Sequence, residues 1–382
     1  MRIGLVAGEA SGDHLGAGLI EAIRARIPDA RFEGVAGPEM AAAGCEQWEE
    51  AEALAVFGLV EPLFHLPRLL KLRRSLVRRW QESPPDVFVG IDAPDFNFGL
   101  EKSLRQSGIL TVHYVSPTIW AWRPGRVQTV KASTDRLLCI LPFEPDIYEK
   151  HGVDAVFVGH PRADAMPASI DVSALRDQLG GADQKVVALL PGSRSSEVAR
   201  LGPLFAATAA LIAARDDSVR FVLPAASQKL RPVIEDHISA AGVAERVLVT
   251  DGGSMQAMAA ADVVLLASGT AALESALLTR PTVAAYKVGA TTAFILRNFR
   301  LLKTDKVTMP NHLTETPLVP EFVQENARPE AMAEAVSELL DDPERCAAIS
   351  DRFAKLRTEL AIGSNDRAAE AVISLAQQGK RS

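Results

Sequence analysis

Hydrophobic residues in this chain recur in short, unbroken runs of aliphatic and β-branched side chains, each followed by a longer segment with helical spacing. In the first half, residues 3–7, 31–35, 87–91, 110–115, 136–141 and 155–158 read as strands. A second series follows at 186–190, 219–223, 247–250, 263–266 and 282–285. Runs that are apolar throughout, without alternation, suit strands covered on both faces. Their alternation with helices predicts right-handed βαβ units and parallel sheets. Between the two series lies Gly159-His160-Pro161-Arg162-Ala163-Asp164-Ala165-Met166-Pro167, rich in breakers and poor in periodicity. The expected organisation is α/β, with two Rossmann-like domains at 1–165 and 166–360 whose parallel sheets face a central cleft. The helical tail from about 360 to 382 is expected to pack back on the first domain.

Composition narrows the classes. With 382 residues, 48% of them hydrophobic, the chain can bury two cores. A net charge of −7 predicts no general attraction to nucleic acid, so any pull toward an anionic surface must be local. The three cysteines, Cys45, Cys139 and Cys346, are far apart and odd in number, which fits a reducing compartment better than a disulfide framework. The first apolar run is too short for a signal peptide and flows into a glycine turn. No uncharged apolar stretch reaches the ~18 residues of a spanning helix, so a cytoplasmic protein is expected.

The chemistry starts at Val87-Phe88-Val89-Gly90-Ile91-Asp92-Ala93-Pro94-Asp95-Phe96-Asn97, where an apolar strand ends in two carboxylates. Ligands of open α/β sheets bind just past the carboxyl ends of the strands. Pro94 fixes its own φ and moves Ala93 out of the right-handed helical region, which stiffens the turn. Asp95 is the candidate general base, with Asp92 beside it. A competing role for either carboxylate is to cap a helix beginning near Phe96.

Two further turns have the composition of ligand loops. Gly8-Glu9-Ala10-Ser11-Gly12-Asp13 joins the first strand to a helix. Its glycines permit positive φ and close approach, but the spacing is not G-x-G-x-x-G, and Glu9 would repel a pyrophosphate. Ser11 and Asp13 are expected to face the cleft and bond a polyol. In the second half, Pro191-Gly192-Ser193-Arg194 and Ala267-Ser268-Gly269-Thr270-Ala271-Ala272-Leu273-Glu274 each place small residues between strand and helix. Amides there, with the Ser193 hydroxyl and the Arg194 guanidinium, suit a diphosphate, and Glu274 suits a ribose. Taken singly, Ser268 is as good as an ordinary helix cap and Glu274 as a surface charge. The chain carries no P-loop, H-E-x-x-H, C-x-x-C or D-x-D, so neither P-loop hydrolysis nor a metal-held diphosphate is expected. No cofactor is implied.

The segment 57–80 stands apart. On a helix, Leu66, Leu69, Leu70, Leu72, Leu76, Val77 and Trp80 share one side, while Arg68, Lys71, Arg74, Arg78 and Arg79 share the other; Arg73 is the exception. Phe57, Leu59 and Leu63 add apolar side chains upstream. Two readings fit this pattern: an amphipathic face for anionic lipid, and a core helix with a solvated cationic face.

Seven motifs in order carry a resemblance: GEASGD (8–13), GIDAPDFN (90–97), VSPTIWAWR (115–123), GHP (159–161), PGSR (191–194), ASGTAALE (267–274) and VTMPN (307–311). Together they resemble the lipid-A-disaccharide synthases, bacterial inverting glycosyltransferases of the two-Rossmann-domain, GT-B type. The resemblance implies that UDP-2,3-diacylglucosamine donates its sugar to 2,3-diacylglucosamine 1-phosphate, giving UDP and a β-1,6-linked disaccharide phosphate. Carried over by motif, Asp95 deprotonates the acceptor 6-hydroxyl, with Glu9 and Ser11 on the acceptor side supporting it. Arg194 and the Ser268–Thr270 turn hold the diphosphate, Glu274 the ribose, and Asn311 a sugar or phosphate group. Acylated substrates would explain the 57–80 strip as a peripheral contact with the cytoplasmic surface of the inner membrane, and the resemblance admits a homodimer. The alternatives are a UDP-N-acetylglucosamine epimerase or a peptidoglycan-precursor transferase of the same architecture, and a nucleotide-binding membrane scaffold without catalysis.

Overall fold

The computed structural model of the chain describes residues 1–54, 61–120, 124–181, 184–289 and 306–379. The apolar runs form two sheets, every pairing in which is parallel. The first contains β1 (Arg2–Ala7), β2 (Arg31–Ala36), β3 (Cys45–Glu50), β4 (Val87–Ile91), β5 (Thr111–Tyr114), β6 (Arg136–Cys139) and β7 (Ala155–Phe157), in the order β3-β2-β1-β4-β5-β6-β7. The second contains β8 (Lys185–Leu190), β9 (Val219–Ala225), β10 (Val247–Asp251), β11 (Val263–Ala267), β12 (Thr282–Tyr286) and β13 (Glu321–Val323), in the order β10-β9-β8-β11-β12-β13. Each sheet reverses its winding once, between β1 and β4 and between β8 and β11. Those reversals are the topological switch points at which such sheets bind ligands.

Successive strand residues face opposite layers, so one strand serves two cores. Ile3, Leu5, Val89 and Ile91 pack with Leu19, Ile20 and Ile23 of α1 (Ala10–Arg26), and with Val372 and Leu375 of the C-terminal helix Ser364–Gln377. Val6 and Phe88 point the other way, to Leu76 and Trp80 of α3 (Glu61–Glu82) and Leu100 and Leu104 of α4 (Pro94–Gln106). Shorter helices complete this unit: α2 (Pro38–Ala42), α5 (Val127–Ser133), α6 (Glu144–Glu149) and α7 (Pro161–Asp164). Around the second sheet lie α8 (Ser173–Gln178), α9 (Ser195–Arg215), α10 (Arg231–Ala240), α11 (Ser254–Ala260) and α12 (Thr270–Leu277).

The chain divides into two compact units, Met1–Asp164 with the segment from Leu360 onward, and Ala165–Glu359. Helix α9 is long and apolar enough to cross a membrane, but its Val198, Leu201, Phe205, Ala209 and Ile212 are buried inside the second unit. Cys45 and Cys139 are buried, and burial raises both thiols.

Two expectations change here. Strands β3 and β13 were not foreseen, because CEQWEE is mostly exposed and EFV is short, as edge strands tend to be. The 57–80 strip divides: Leu76 and Trp80 are buried and Leu72 packs against the same cluster, so Leu72 and Leu76 are core residues and not lipid contacts. Trp80 also stacks on Trp48 and Phe88 and donates to Glu33 at 3.1 Å. Leu66 remains 47% exposed and Leu69 half-buried, with Arg74 and Arg78 exposed. Phe57, Leu59 and the side chain of Leu63 lie outside the described residues.

Candidate active site

At the first switch point, Ala7 and Ile91 are paired neighbours, so the loops leaving β1 and β4 start side by side. The β4 loop turns through Asp92 and Ala93, both left-handed at φ 51° and 42°. A side chain with a Cβ pays sterically in that region, and such residues gather at functional sites. Pro94 was expected to move Ala93 out of the right-handed helical region; Ala93 is left-handed, and α4 starts directly at Pro94. Ala93 occupies the cap position without a side-chain cap bond, so neither Asp92 nor Asp95 caps this helix. Gly8 has no positive φ; a Cβ there would stand 2.5 Å from the Ala93 Cβ, so close approach is what requires glycine.

Asp95 sits in the first turn of α4, where the helix dipole favours a negative charge. Its side chain is 84% exposed and its Oδ1 pairs with the Arg126 guanidinium at the start of α5. Glu9 and Ser11 are exposed at the start of α1, and Asp92 is half-buried. Asp13 is elsewhere in role. It is 2% exposed, and its carboxylate accepts from the amides of Gly37, Glu39 and Met40, holding the start of α2. The expectation that Asp13 meets a substrate is therefore corrected: it is buried and bonded to three backbone amides.

Beneath the corner, the Asn97 Nδ2 donates to the carbonyls of Asp92 (2.8 Å), Ile91 (3.3 Å) and Val6 (3.4 Å). One turn further along α4, Glu101 meets the His113 Nδ1 of β5 at 2.6 Å, both side chains fully buried. Desolvation raises the Glu101 carboxyl. Gly90 makes room for it, since a Cβ there would lie 2.1 Å from the Glu101 Oε1. Nearby, buried Glu144 of α6 accepts from the Leu141 amide (3.2 Å) and the Trp120 indole (3.3 Å), and burial pushes its carboxyl up to about 7.

At the second switch point, Leu190 pairs with Leu266, bringing the β8 and β11 loops together. Gly192 has φ 121°, and its missing Cβ leaves space for Glu197 of α9, otherwise 2.5 Å away. The Glu197 carboxylate accepts from the Ser193 and Arg194 amides (3.0 and 3.2 Å) and from the Arg194 guanidinium (2.9 Å). Arg194 is 78% exposed, and an exposed pair of this kind holds it weakly. Ser268 is not the helix cap: its amide donates to Ala285 and its hydroxyl to the Val307 carbonyl (3.3 Å). Gly269 caps α12 with no side-chain bond, and a Cβ on it would meet nothing within 4 Å. The first amides of α12 thus lack intrahelical partners beside open space, with Glu274 half-buried one turn in.

Asn311 is also corrected. It is 1% exposed, and its amide bonds the Val319 carbonyl, the Glu321 carboxylate and the amides of Leu318 and Val319. Glu321 further accepts from the Val307 and Thr308 amides and the Thr308 hydroxyl. The pair locks the segment that receives Ser268, and does not face a ligand. Sequence reasoning passed over Glu321, Arg126 and the Glu101–His113 pair; the available signal was charge within otherwise apolar or polar-edge elements. Among the described residues, no group of three or more His, Cys, Asp or Glu side chains could hold a metal ion.

Solved structures share this architecture. Anabaena HepE, solved with UDP and glucose, superposes with a TM-score of 0.58 at 16% identity, covering 98% of this chain and all of that one. The UDP-GlcNAc 2-epimerase from Neisseria meningitidis, bound to UDP-GlcNAc, gives 0.58 at 11%, covering 99% and 100%. At such identities the likeness establishes the fold, a pair of parallel Rossmann-like units of the GT-B class. A family model described as lipid-A-disaccharide synthetase matches residues 3–375. The lipid-A-disaccharide synthase of Alkalilimnicola ehrlichii is 50% identical over 379 residues, covering 98% of this chain and 99% of that protein. The one from Chromohalobacter salexigens is 49% identical over 381 residues, covering 100% and 98%. The chain belongs to the lipid-A-disaccharide synthetase family and is a glycosyltransferase of lipid A biosynthesis. The epimerase and peptidoglycan-precursor alternatives are not favoured.

Proposed function

We propose that this enzyme transfers the sugar of UDP-2,3-diacylglucosamine to the 6-hydroxyl of 2,3-diacylglucosamine 1-phosphate. The acceptor oxygen forms a bond to the sugar C1 as the C1–O bond to the diphosphate breaks; UDP leaves with the electron pair, and the hydroxyl proton passes to Asp95. The observation that carries this reading is an exposed carboxylate in the helical turn that directly follows a left-handed corner at the first switch point. The open amide-bearing start of α12 supports the second unit as the nucleotide holder.

In this reading the Ser268–Thr270 turn, through the amides of Gly269 and Thr270, holds the diphosphate without a metal, together with the Ser193 hydroxyl and the Arg194 guanidinium, while Glu274 takes the ribose. Glu9, Ser11 and Asp92 line the acceptor side of the first unit. The acyl chains lie with Leu66, Leu69 and the segment holding Phe57, Leu59 and Leu63. Arg74 and Arg78 draw that surface to anionic lipid at the cytoplasmic face of the inner membrane. Mass spectrometry of the product from defined acylated donor and acceptor tests the reaction. A tetraacyl disaccharide phosphate with stoichiometric UDP is expected; UDP release with unacylated donor alone would overturn it.

A further inference from the structure

Residues with a Cβ resist the left-handed region, yet Asp92 and Ala93 adopt it in succession. Such a corner persists only where its surroundings hold it. Three carbonyl oxygens, from the ends of β1 and β4 and from Asp92 itself, converge on the side chain of Asn97. Three acceptors around one atom require a donor, so the amide nitrogen must face them. On the other side Gly8, lacking a Cβ, makes room for the Ala93 methyl. Below, the Glu101–His113 pair ties α4 to β5, and Gly90 lets Glu101 reach β4. Asp95 stands between Ala93 and Asn97 in the chain, and Ala93 O accepts the Asn97 amide at 3.0 Å, so the turn carrying Asp95 is closed at both ends.

We propose that Asn97 is a positioning residue for the transfer. It holds the Asp92–Ala93 corner so that the Asp95 carboxylate stands where the acceptor proton is taken, and the buried Glu101–His113 pair locks the helix carrying both. The proposal rests on Asp95 being the base.

The test is a double-mutant cycle on the full-length enzyme with acylated substrates, reading kcat, UDP affinity by calorimetry and thermal melting. N97A is expected to lower kcat by about 10- to 100-fold, the cost of a misplaced catalytic group, with UDP affinity within about twofold of wild type. In the D95A background N97A is expected to cost nothing further, because the group it positions is gone. A multiplicative loss in D95A/N97A would show an independent, merely structural role and overturn the proposal. Wild-type turnover in D95A would remove the base assignment itself, and the proposal with it. A93G covers the case in which N97A does not fold. Glycine accepts the left-handed backbone, so A93G is expected to melt no lower than wild type, yet to lose kcat as the corner loosens. An A93G enzyme with full kcat would overturn the proposal.

Discussion

At the end of β4 the backbone runs left-handed through two residues that carry a Cβ, held by Asn97 from within and given room by Gly8 from without. At the end of β11 the corresponding turn contains an extended glycine with nothing within 4 Å of where a Cβ would stand. The topology that creates both is the same. The difference matches the two roles proposed for these turns. A base must stand within a fraction of an ångström of one proton, which calls for a stiff, over-determined corner. A diphosphate is bound by several amides at once, which calls for unfilled space in front of a helix start.

The sharpest way to break that contrast is Asp95→Ala. Turnover should fall by about 10²- to 10⁴-fold with UDP affinity nearly unchanged, since general-base loss affects only the transition state. Next in size is a pH effect at the first unit. The Glu144 carboxyl is held at about 7 against an ordinary value of 4.5. A raised carboxyl contributes stability that is complete below pH 4.5 and lost as pH rises through 7. Glu144→Gln should therefore remove about 3 kcal/mol of this pH dependence between those limits in denaturant titrations; parallel profiles for the two proteins would contradict it. At the second turn, Arg194→Ala should weaken UDP by about 10-fold or somewhat more, with melting temperature unchanged, because its partner Glu197 is a surface contact. A fall in kcat at saturating donor, with intact UDP affinity, would blur the distinction between the turns. The smallest effect belongs to Arg74→Glu with Arg78→Glu. Each should cost about 1 kcal/mol of binding to anionic vesicles and fade with salt; unchanged binding in a vesicle-pelleting assay would detach the strip from the membrane.

The central strands were legible because continuous apolar runs such as VFVGI and KVVALL are buried on both faces. The edges were not, since Cys45–Glu50 presents charge to solvent and carries no such run. Motif order led to both switch points, where Gly8, Asp95, Arg194 and Ser268 do stand. It could not separate residues that meet a ligand from residues that build the platform. Asp13 and Asn311 lie in the same motifs as the candidates, yet a buried carboxylate on three amides and a buried amide with four partners are scaffold. Pro94 foretold a non-helical Ala93 without telling which alternative region it would choose; the left-handed corner needs the space that Gly8 leaves from a distant part of the chain.

One consequence of the chain path concerns dissection. The helix Ser364–Gln377 lies against α1, with Arg26 paired to Asp366 and Arg136 bonded to the Ala371 carbonyl and the Ser374 hydroxyl. Its Ala368, Ala369, Val372 and Leu375 complete a core begun by the first residues of the protein. The second unit is thus an insertion within the first rather than its successor. A fragment cut after Asp164 would expose that apolar seam to water, whereas a version splicing 1–164 to 360–382 through a short linker would keep it covered.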